Sequence, residues 1–99
     1  MNQRAPVPCE EMTAIRQQID ALDVELVKLL AARQKLIAQA GHAKPERHHI
    51  RDEARIEEVV QLVLQTAQKE GLATEIAEPV WRQLIESSIA YEYRVFDDR

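Results

Sequence analysis

Apolar residues recur every three and four positions between residues 12 and 40 of the chain. They are Met12, Ile15, Ile19, Leu22, Leu26, Leu29, Leu36 and Ala40. This spacing puts them on one stripe of a helix that packs against other helices. The pattern predicts a first helix from about Met12 to about Ala43, with Thr13 as a possible N-cap and Gly41 weakening the last turn.

Arg33 interrupts this stripe at the position after Leu29, where the spacing predicts an apolar side chain. A buried cation costs several kcal/mol unless an anion meets it. The residues one helical turn away carry no charge; they are Leu29, Leu30, Leu36 and Ile37. The anion therefore comes either from elsewhere in the fold or from a ligand.

The predicted first helix is too long to be covered by its own chain. About thirty helical residues span about 45 Å, which exceeds the width of a compact domain of 99 residues. Two shorter helices cannot bury the whole stripe. A second copy of the chain is the simplest cover, so the sequence predicts a homodimer.

A second helix follows the polar segment 45–51, where Pro45 breaks the pattern. Asp52 is a good N-cap, and the helix runs to about Glu70, with Gly71 as the residue that ends it. The positions predicted to face inward are apolar throughout. They are Ile56, Val59, Val60, Val63, Leu64 and Ala67.

A third helix is predicted from Thr74 to about Phe96. Pro79 fits only in a first helical turn, so the helix either starts near Glu78 or is kinked. The residues predicted to face inward are Val80, Trp81, Leu84, Ile85, Ile89 and Val95. No stretch alternates with a period of two residues, and good helix formers dominate the composition, so the fold class is all-α.

Residues 1–11 contain Pro6 and Pro8 and no periodicity, which predicts a disordered tail before a helical domain of residues 12–99. The formal net charge of −4 argues against nucleic acid or an anionic membrane as the main partner. Cys9 is the only cysteine, so no intrachain disulfide can form. Because no signal-peptide core or membrane-length apolar run is present, we expect a cytoplasmic protein.

Polar residues also occupy the apolar row of the third helix, which continues from Ile85 to Ser88 and Glu92. Either the helix end frays into water, or Glu92 is buried and needs a partner. Lys44 lies eleven residues after Arg33, on the same helix face and about 16 Å along the axis. Arg55 opens the second helix. Each basic residue alone is usually a solvated charge, but together these residues favour a small anionic ligand.

Other kinds of site find little support in the sequence. His42, His48 and His49 flank the loop without the spacing of a metal site, and we expect them to be solvated. No glycine-rich phosphate loop and no nucleophile motif occurs. We therefore expect neither a metal nor an organic cofactor.

Five segments in order, over about residues 12–93, resemble the all-helical chorismate mutases. They are IRQQIDALD (15–23), LLAAR (29–33), GHAK (41–44), IRDEAR (50–55) and LIESSI (84–89). The resemblance implies three helices per chain with a long first helix, in an intertwined homodimer with two sites. It also implies the cofactor-free pericyclic rearrangement of chorismate to prephenate.

The resemblance also implies a set of site residues. Arg16 would come from one chain and the others from its partner: Arg33, Lys44, Asp52, Arg55, Ser88 and Glu92. Helix geometry agrees, because Arg16 and Arg33 lie about 26 Å apart on one helix and cannot grip the same small molecule. The two arginines suit the two carboxylates of chorismate, and Lys44 suits the ether oxygen that gains charge at the transition state.

Two positions depart from the pattern of the family. Glu92 stands where the family often has Gln; the ionised carboxylate would repel the developing charge, whereas the acid could donate a proton. Burial favours the acid, and Lys44 favours the anion. Ile56 stands where many mutases have a Glu that holds the ring hydroxyl of the substrate.

Two alternatives to the mutase stay open. The isochorismate-pyruvate lyases, which form salicylate, share the fold, an apolar residue at the position of Ile56 and a Cys seven residues before the first Arg, as Cys9 precedes Arg16. Asp52 and Ser88 resemble the mutases more. A dimeric coiled-coil adaptor without activity would explain the long helix but not Arg33 in the apolar stripe; in an adaptor, Arg33→Leu should stabilise the protein.

Overall fold

Three α-helices and one short 3₁₀ turn make up residues 9–99, which are the residues that this computed structural model describes. The helices are α1, Glu10–Ala43; α2, Glu53–Glu70; and α3, Thr74–Asp98, with the 3₁₀ turn Arg47–His49 between α1 and α2. No strand occurs in this described part. The predicted all-α class with three helices and a long first one is confirmed.

The chain divides into two compact units, Met1–Arg33 and Gln34–Arg99. Within the described residues, the first unit consists of the N-terminal part of α1. The second unit contains the end of α1 together with α2 and α3, and most of the buried residues lie in it.

Helix α1 begins at Glu10, two residues before the predicted start at Met12. The Cys9 carbonyl accepts a hydrogen bond from the Thr13 amide at 3.2 Å. Glu10 and Glu11 lie in the first turn, where their negative charges interact favourably with the positive end of the helix dipole. Thr13 is therefore inside the helix rather than its N-cap. Of the predicted tail, residues 1–8 lie outside the described residues, and its last two residues are helical.

The apolar stripe of α1 is largely open to solvent in the single chain. Ile19 is 50% exposed, Leu22 64% and Leu29 68%. The helix has 34 residues, which corresponds to a length of about 51 Å. A partner that covers this stripe remains a prediction.

Both ends of α2 are formed by the predicted residues. The Asp52 carboxylate accepts the Arg55 amide at 3.1 Å, as an N-cap does. At the other end Gly71 has φ of 77°, in the left-handed region that favours glycine. Its N–H donates to the carbonyls of Ala67 and Gln68 in the last turn of the helix. The confirmed caps fix the start and length of α2.

The core of the second unit lies between α2 and α3. Ile56, Val60 and Ile85 form its buried centre. The apolar residues packed around that centre are Val59, Leu64, Trp81 and Ile89. The inward face predicted for α2 is confirmed, and that of α3 is confirmed except at Val80, which is 53% exposed.

Helix α3 starts at Thr74, with Ala73 as its N-cap, and contains Pro79 within its length. Of the two alternatives that Pro79 left open, the later start near Glu78 was wrong. Pro79 lacks the N–H that would meet the Glu75 carbonyl, but the Ala73 carbonyl still accepts the amides of Ile76 and Ala77, both at 3.0 Å. Because Pro79 lies on the exposed face, its ring disturbs no core contact.

One set of ion pairs links α3 to α2, and a second set links α3 to the segment before α2. Arg82 holds Glu57 through two hydrogen bonds of 3.0 and 3.1 Å. Arg51, which precedes α2, holds Glu86 through hydrogen bonds of 3.2 and 2.7 Å. Both arginines lower the pKa of the carboxyl group they bind, chiefly through these hydrogen bonds.

Candidate functional site

Lys44 follows directly after α1, and its backbone is fixed by hydrogen bonds on both sides. Its amide donates to the Ala40 carbonyl at 2.9 Å, which continues the helical pattern by one residue. The Arg99 guanidinium donates to the carbonyls of His42 at 3.0 Å and Lys44 at 2.6 Å. These carbonyls belong to the helix end, where partners within the helix are lacking.

A second contact joins the segment after Lys44 to the end of α3. Arg47 donates to the Asp97 carboxylate at 3.0 and 3.3 Å, and its guanidinium lies 4.3 Å from the centre of the Tyr93 ring. The hydrogen bond to Asp97 raises the pKa of Arg47. The end of α3 therefore holds the segment 44–47 that follows α1.

Glu92 is the only charged side chain in the buried class among residues 9–99, with 4% of the residue exposed. It lies on α3 two turns beyond Ile85, and the half-buried Ser88 lies between them. The row of Ile85, Ser88 and Glu92 therefore stays turned inward. The alternative that the end of α3 frays into water, leaving Glu92 solvated, was wrong.

The Lys44 ammonium donates a hydrogen bond to the Glu92 carboxylate, which joins the end of α1 to α3. The Lys44 side chain is 29% exposed, so the ammonium meets the buried acid while part of the side chain remains accessible. An ammonium has three donors and uses one for Glu92. The arrangement can thus offer further hydrogen bonds to an electron-rich atom of a ligand.

Asp52 and Arg55 lie at the start of α2, where the cap hydrogen bond brings them together. The Arg55 guanidinium is exposed and donates to Glu58 at 3.1 Å, one turn along the same helix. Exposed pairs of this kind contribute little to stability. Arg55 can therefore exchange its partner for a ligand at small cost.

The remaining predicted residues differ in exposure. Arg16 is exposed on α1, Arg33 is half-buried on the same helix, and Ser88 is half-buried on α3. Within the second unit, the structure joins Lys44 directly to Glu92.

Two residues that contact Lys44 or Glu92 were not predicted as site residues. Gly41 is the buried residue of α1 and packs against α3 beside Glu92. A glycine inside a helix was its signal in the sequence, because glycine is a poor helix former. Arg99 gave no signal, because an arginine after the last apolar residue resembles an ordinary surface charge.

No group of three His, Cys, Asp or Glu side chains suited to a metal ion occurs among residues 9–99. His42, His48 and His49 are exposed, as predicted. None of the helices described is long and apolar enough to cross a membrane.

Comparison with known proteins identifies the family of this chain. The family model for chorismate mutase type II matches residues 15–93. The chain therefore belongs to the chorismate mutase type II family, which confirms the resemblance drawn from the sequence. The match includes all seven predicted site residues.

A curated relative supports the same assignment. The T-protein of Haemophilus influenzae is 33% identical over 85 residues, which are 84% of this chain. The aligned part makes up 22% of the T-protein. The chain thus spans about a fifth of the length of the curated relative it matches.

Proposed function

We propose that this chain catalyses the rearrangement of chorismate to prephenate, with Lys44 as the group that stabilises the transition state. The observation that carries the proposal is the buried Glu92 held by the part-exposed Lys44, in a chain of the chorismate mutase type II family. A buried acid paired with one lysine costs stability in a purely structural protein. Binding of a charged substrate would explain why Lys44 and the buried Glu92 are paired here.

In the proposed reaction one C–O bond of chorismate breaks while one C–C bond forms. The reaction needs no nucleophile, metal or cofactor from the protein. The ether oxygen gains negative charge at the transition state, and a donor already fixed at that point lowers the barrier. The Lys44 ammonium is suited to this role because its backbone is held by Ala40 and Arg99.

The substrate is a dianion, and the proposal assigns its two carboxylates to arginines. Arg33 would bind one, and Arg16 of the partner subunit the other, in an intertwined homodimer. The exposed apolar stripe of α1 supports such a dimer, because an uncovered stripe of this length is unfavourable in water. Asp52, Arg55 and Ser88 complete the proposed binding site. A cytoplasmic location, expected from the sequence, is part of the proposal.

Isochorismate-pyruvate lyase activity is the second candidate, and Ile56 is the observation that favours it. Ile56 is 8% exposed and packs in the core between α2 and α3. It has no polar atom for the ring hydroxyl of chorismate, so one contact that many mutases make to this substrate is missing. The two activities differ in substrate and product.

The test supplies chorismate and isochorismate separately to the purified protein and measures prephenate and salicylate. We expect prephenate from chorismate. The Lys44→Met variant should lose a factor of about 10²–10³ in kcat, because one fixed donor to the developing charge is removed. Lys69→Met, at the exposed end of α2, is the control and should match the wild type. Salicylate as the main product would reject the mutase proposal, and full activity in Lys44→Met would reject the role of Lys44.

A further inference from the structure

Gly41 is buried in the last turn of α1, where its backbone conformation does not explain the choice of glycine. Among the described residues, Gly71 is the glycine with positive φ, and Gly41 has ordinary helical geometry. An alanine would satisfy that backbone and is the better helix former. The reason for glycine must therefore be the space around it.

The space beside Gly41 is filled by α3 at Glu92. A β-carbon at position 41 would lie 3.1 Å from Val95 Cγ1, 3.2 Å from the Glu92 carbonyl oxygen and 3.3 Å from Glu92 Cγ. Val95 Cγ1 belongs to a side chain, whereas the Glu92 carbonyl is part of the helix backbone. A methyl group would thus displace the residue whose carboxylate Lys44 binds.

We propose that Gly41 is a positioning residue, whose missing side chain lets the end of α1 approach α3 closely enough for Lys44 to bind Glu92. Gly41 and Lys44 are three residues apart, so the approach and the ion pair belong to the same turn of chain. The catalytic part of this inference rests on the proposed function of Lys44. The positioning part rests on the contacts alone.

The consequence for catalysis follows from the accuracy that a fixed donor needs. The transition state needs the donor at one fixed position, whereas the bound substrate can adjust to a shifted donor. A displacement of a few tenths of an ångström therefore weakens the hydrogen bond to the transition state more than the hydrogen bond to the substrate. Gly41→Ala should therefore lower kcat by about tenfold and change KM less.

The control is Gly71→Ala at the end of α2. Nothing lies within 4 Å of a β-carbon there, but φ of 77° strains any residue other than glycine. This variant should lower the melting temperature and keep the kcat of the wild type at temperatures where it is folded. Gly41→Ala should show the reverse pattern: its kcat should fall, while its melting temperature should change less than that of Gly71→Ala.

Two further measurements separate positioning from damage to the fold. Adding Val95→Ala to Gly41→Ala removes the nearest contact and should recover part of the lost kcat. The NMR chemical shift of the Glu92 carboxyl carbon should change in Gly41→Ala and stay constant in Gly71→Ala; this readout does not require turnover.

The outcomes distinguish this inference from the proposed function. A wild-type kcat and a wild-type Glu92 carboxyl shift in Gly41→Ala would overturn the role of Gly41, even if Lys44→Met is inactive. A wild-type protein that does not convert chorismate would reject the proposed function. In that case the Glu92 carboxyl shift alone would decide whether Gly41 positions the pair.

Discussion

At the scale of single residues, the carboxyl group of Glu92 is central to the chemistry proposed for the candidate site. Glu92 is buried and bound by Lys44, so the acid and its partner share one hydrogen bond in the absence of substrate. An ionised carboxylate beside the ether oxygen would oppose the charge that develops there, whereas the protonated acid could donate to it. The activity should therefore depend on whether the side chain at position 92 carries a negative charge.

A neutral substitution tests this dependence. We expect the kcat/KM of Glu92→Gln for chorismate to be at least equal to that of the wild type, because the amide can donate a hydrogen bond to the ether oxygen and carries no charge that would repel the transition state. Glu46→Gln, an exposed acid near Lys44 in the chain, is the control and should match the wild type. A large loss of kcat/KM in Glu92→Gln would contradict this role of position 92.

The sequence placed Glu92 in an apolar row but left its environment open. Position in the row follows from the helical repeat, whereas burial depends on how α3 packs in the folded chain. Lys44 could be placed on the face of Arg33 for the same reason. Its pairing with Glu92 could not be predicted, because the two residues are 48 positions apart.

At the scale of elements, α2 and α3 are joined by an apolar core with ion pairs at its edge. The core is the contact of Ile56 and Val60 with Ile85. Glu57 and Glu86 are held by arginines whose hydrogen bonds lower the pKa of each carboxyl group from its ordinary value of 4.5. These pairs are exposed and contribute modestly, but they connect stability to pH.

Acid should weaken this pair of helices in a defined direction. Because the pKa of each carboxyl group is lower in the folded chain than in the unfolded one, the stabilisation is present above pH 4.5 and is lost as the pH falls through the folded values. We expect the urea midpoint to decrease between about pH 5 and pH 3. In Glu57→Gln the urea midpoint should fall less steeply with decreasing pH than in the control Glu70→Gln. Equal slopes of urea midpoint against pH in the two variants would contradict the contribution of Glu57.

The ends of the elements were predicted unevenly, for a physical reason. Asp52 and Gly71 form local caps, whose hydrogen bonds involve neighbours in sequence, and both were predicted. The start of α3 was left open between Thr74 and Glu78, because Pro79 locally disfavours a helix. The helix continues through it because Ala77 and the following apolar residues are buried by packing.

At the scale of the whole molecule, the exposed stripe of α1 supports an assembly of two chains. If Arg16 acts in the site of the partner subunit, each site needs residues from both chains. A variant that lacks Arg16 and a variant that lacks a site residue of the other chain should then restore activity when they form a mixed dimer. A monomeric enzyme would show no such complementation.

Mixing two inactive variants tests the shared site. Arg16→Ala and Lys44→Met should each be inactive alone, because each homodimer lacks a required cation at both sites. When the chains are unfolded together and refolded in equal amounts, half of the dimers are mixed and each has one intact site. About a quarter of the wild-type activity should therefore return. No recovery from correctly folded mixed dimers would place Arg16 in the site of its own chain.

The sequence by itself determined the three helices, the caps of α2 and the apolar faces, because these depend on residues one to four positions apart. It also carried the family resemblance, since segments such as those around Arg33 and Lys44 keep their order and spacing. Only the tertiary structure decided that Glu92 is buried, that Lys44 binds it and that Gly41 leaves room for the contact. These are consequences of how the end of α1 packs on α3, and contacts between distant segments have no local pattern in the sequence.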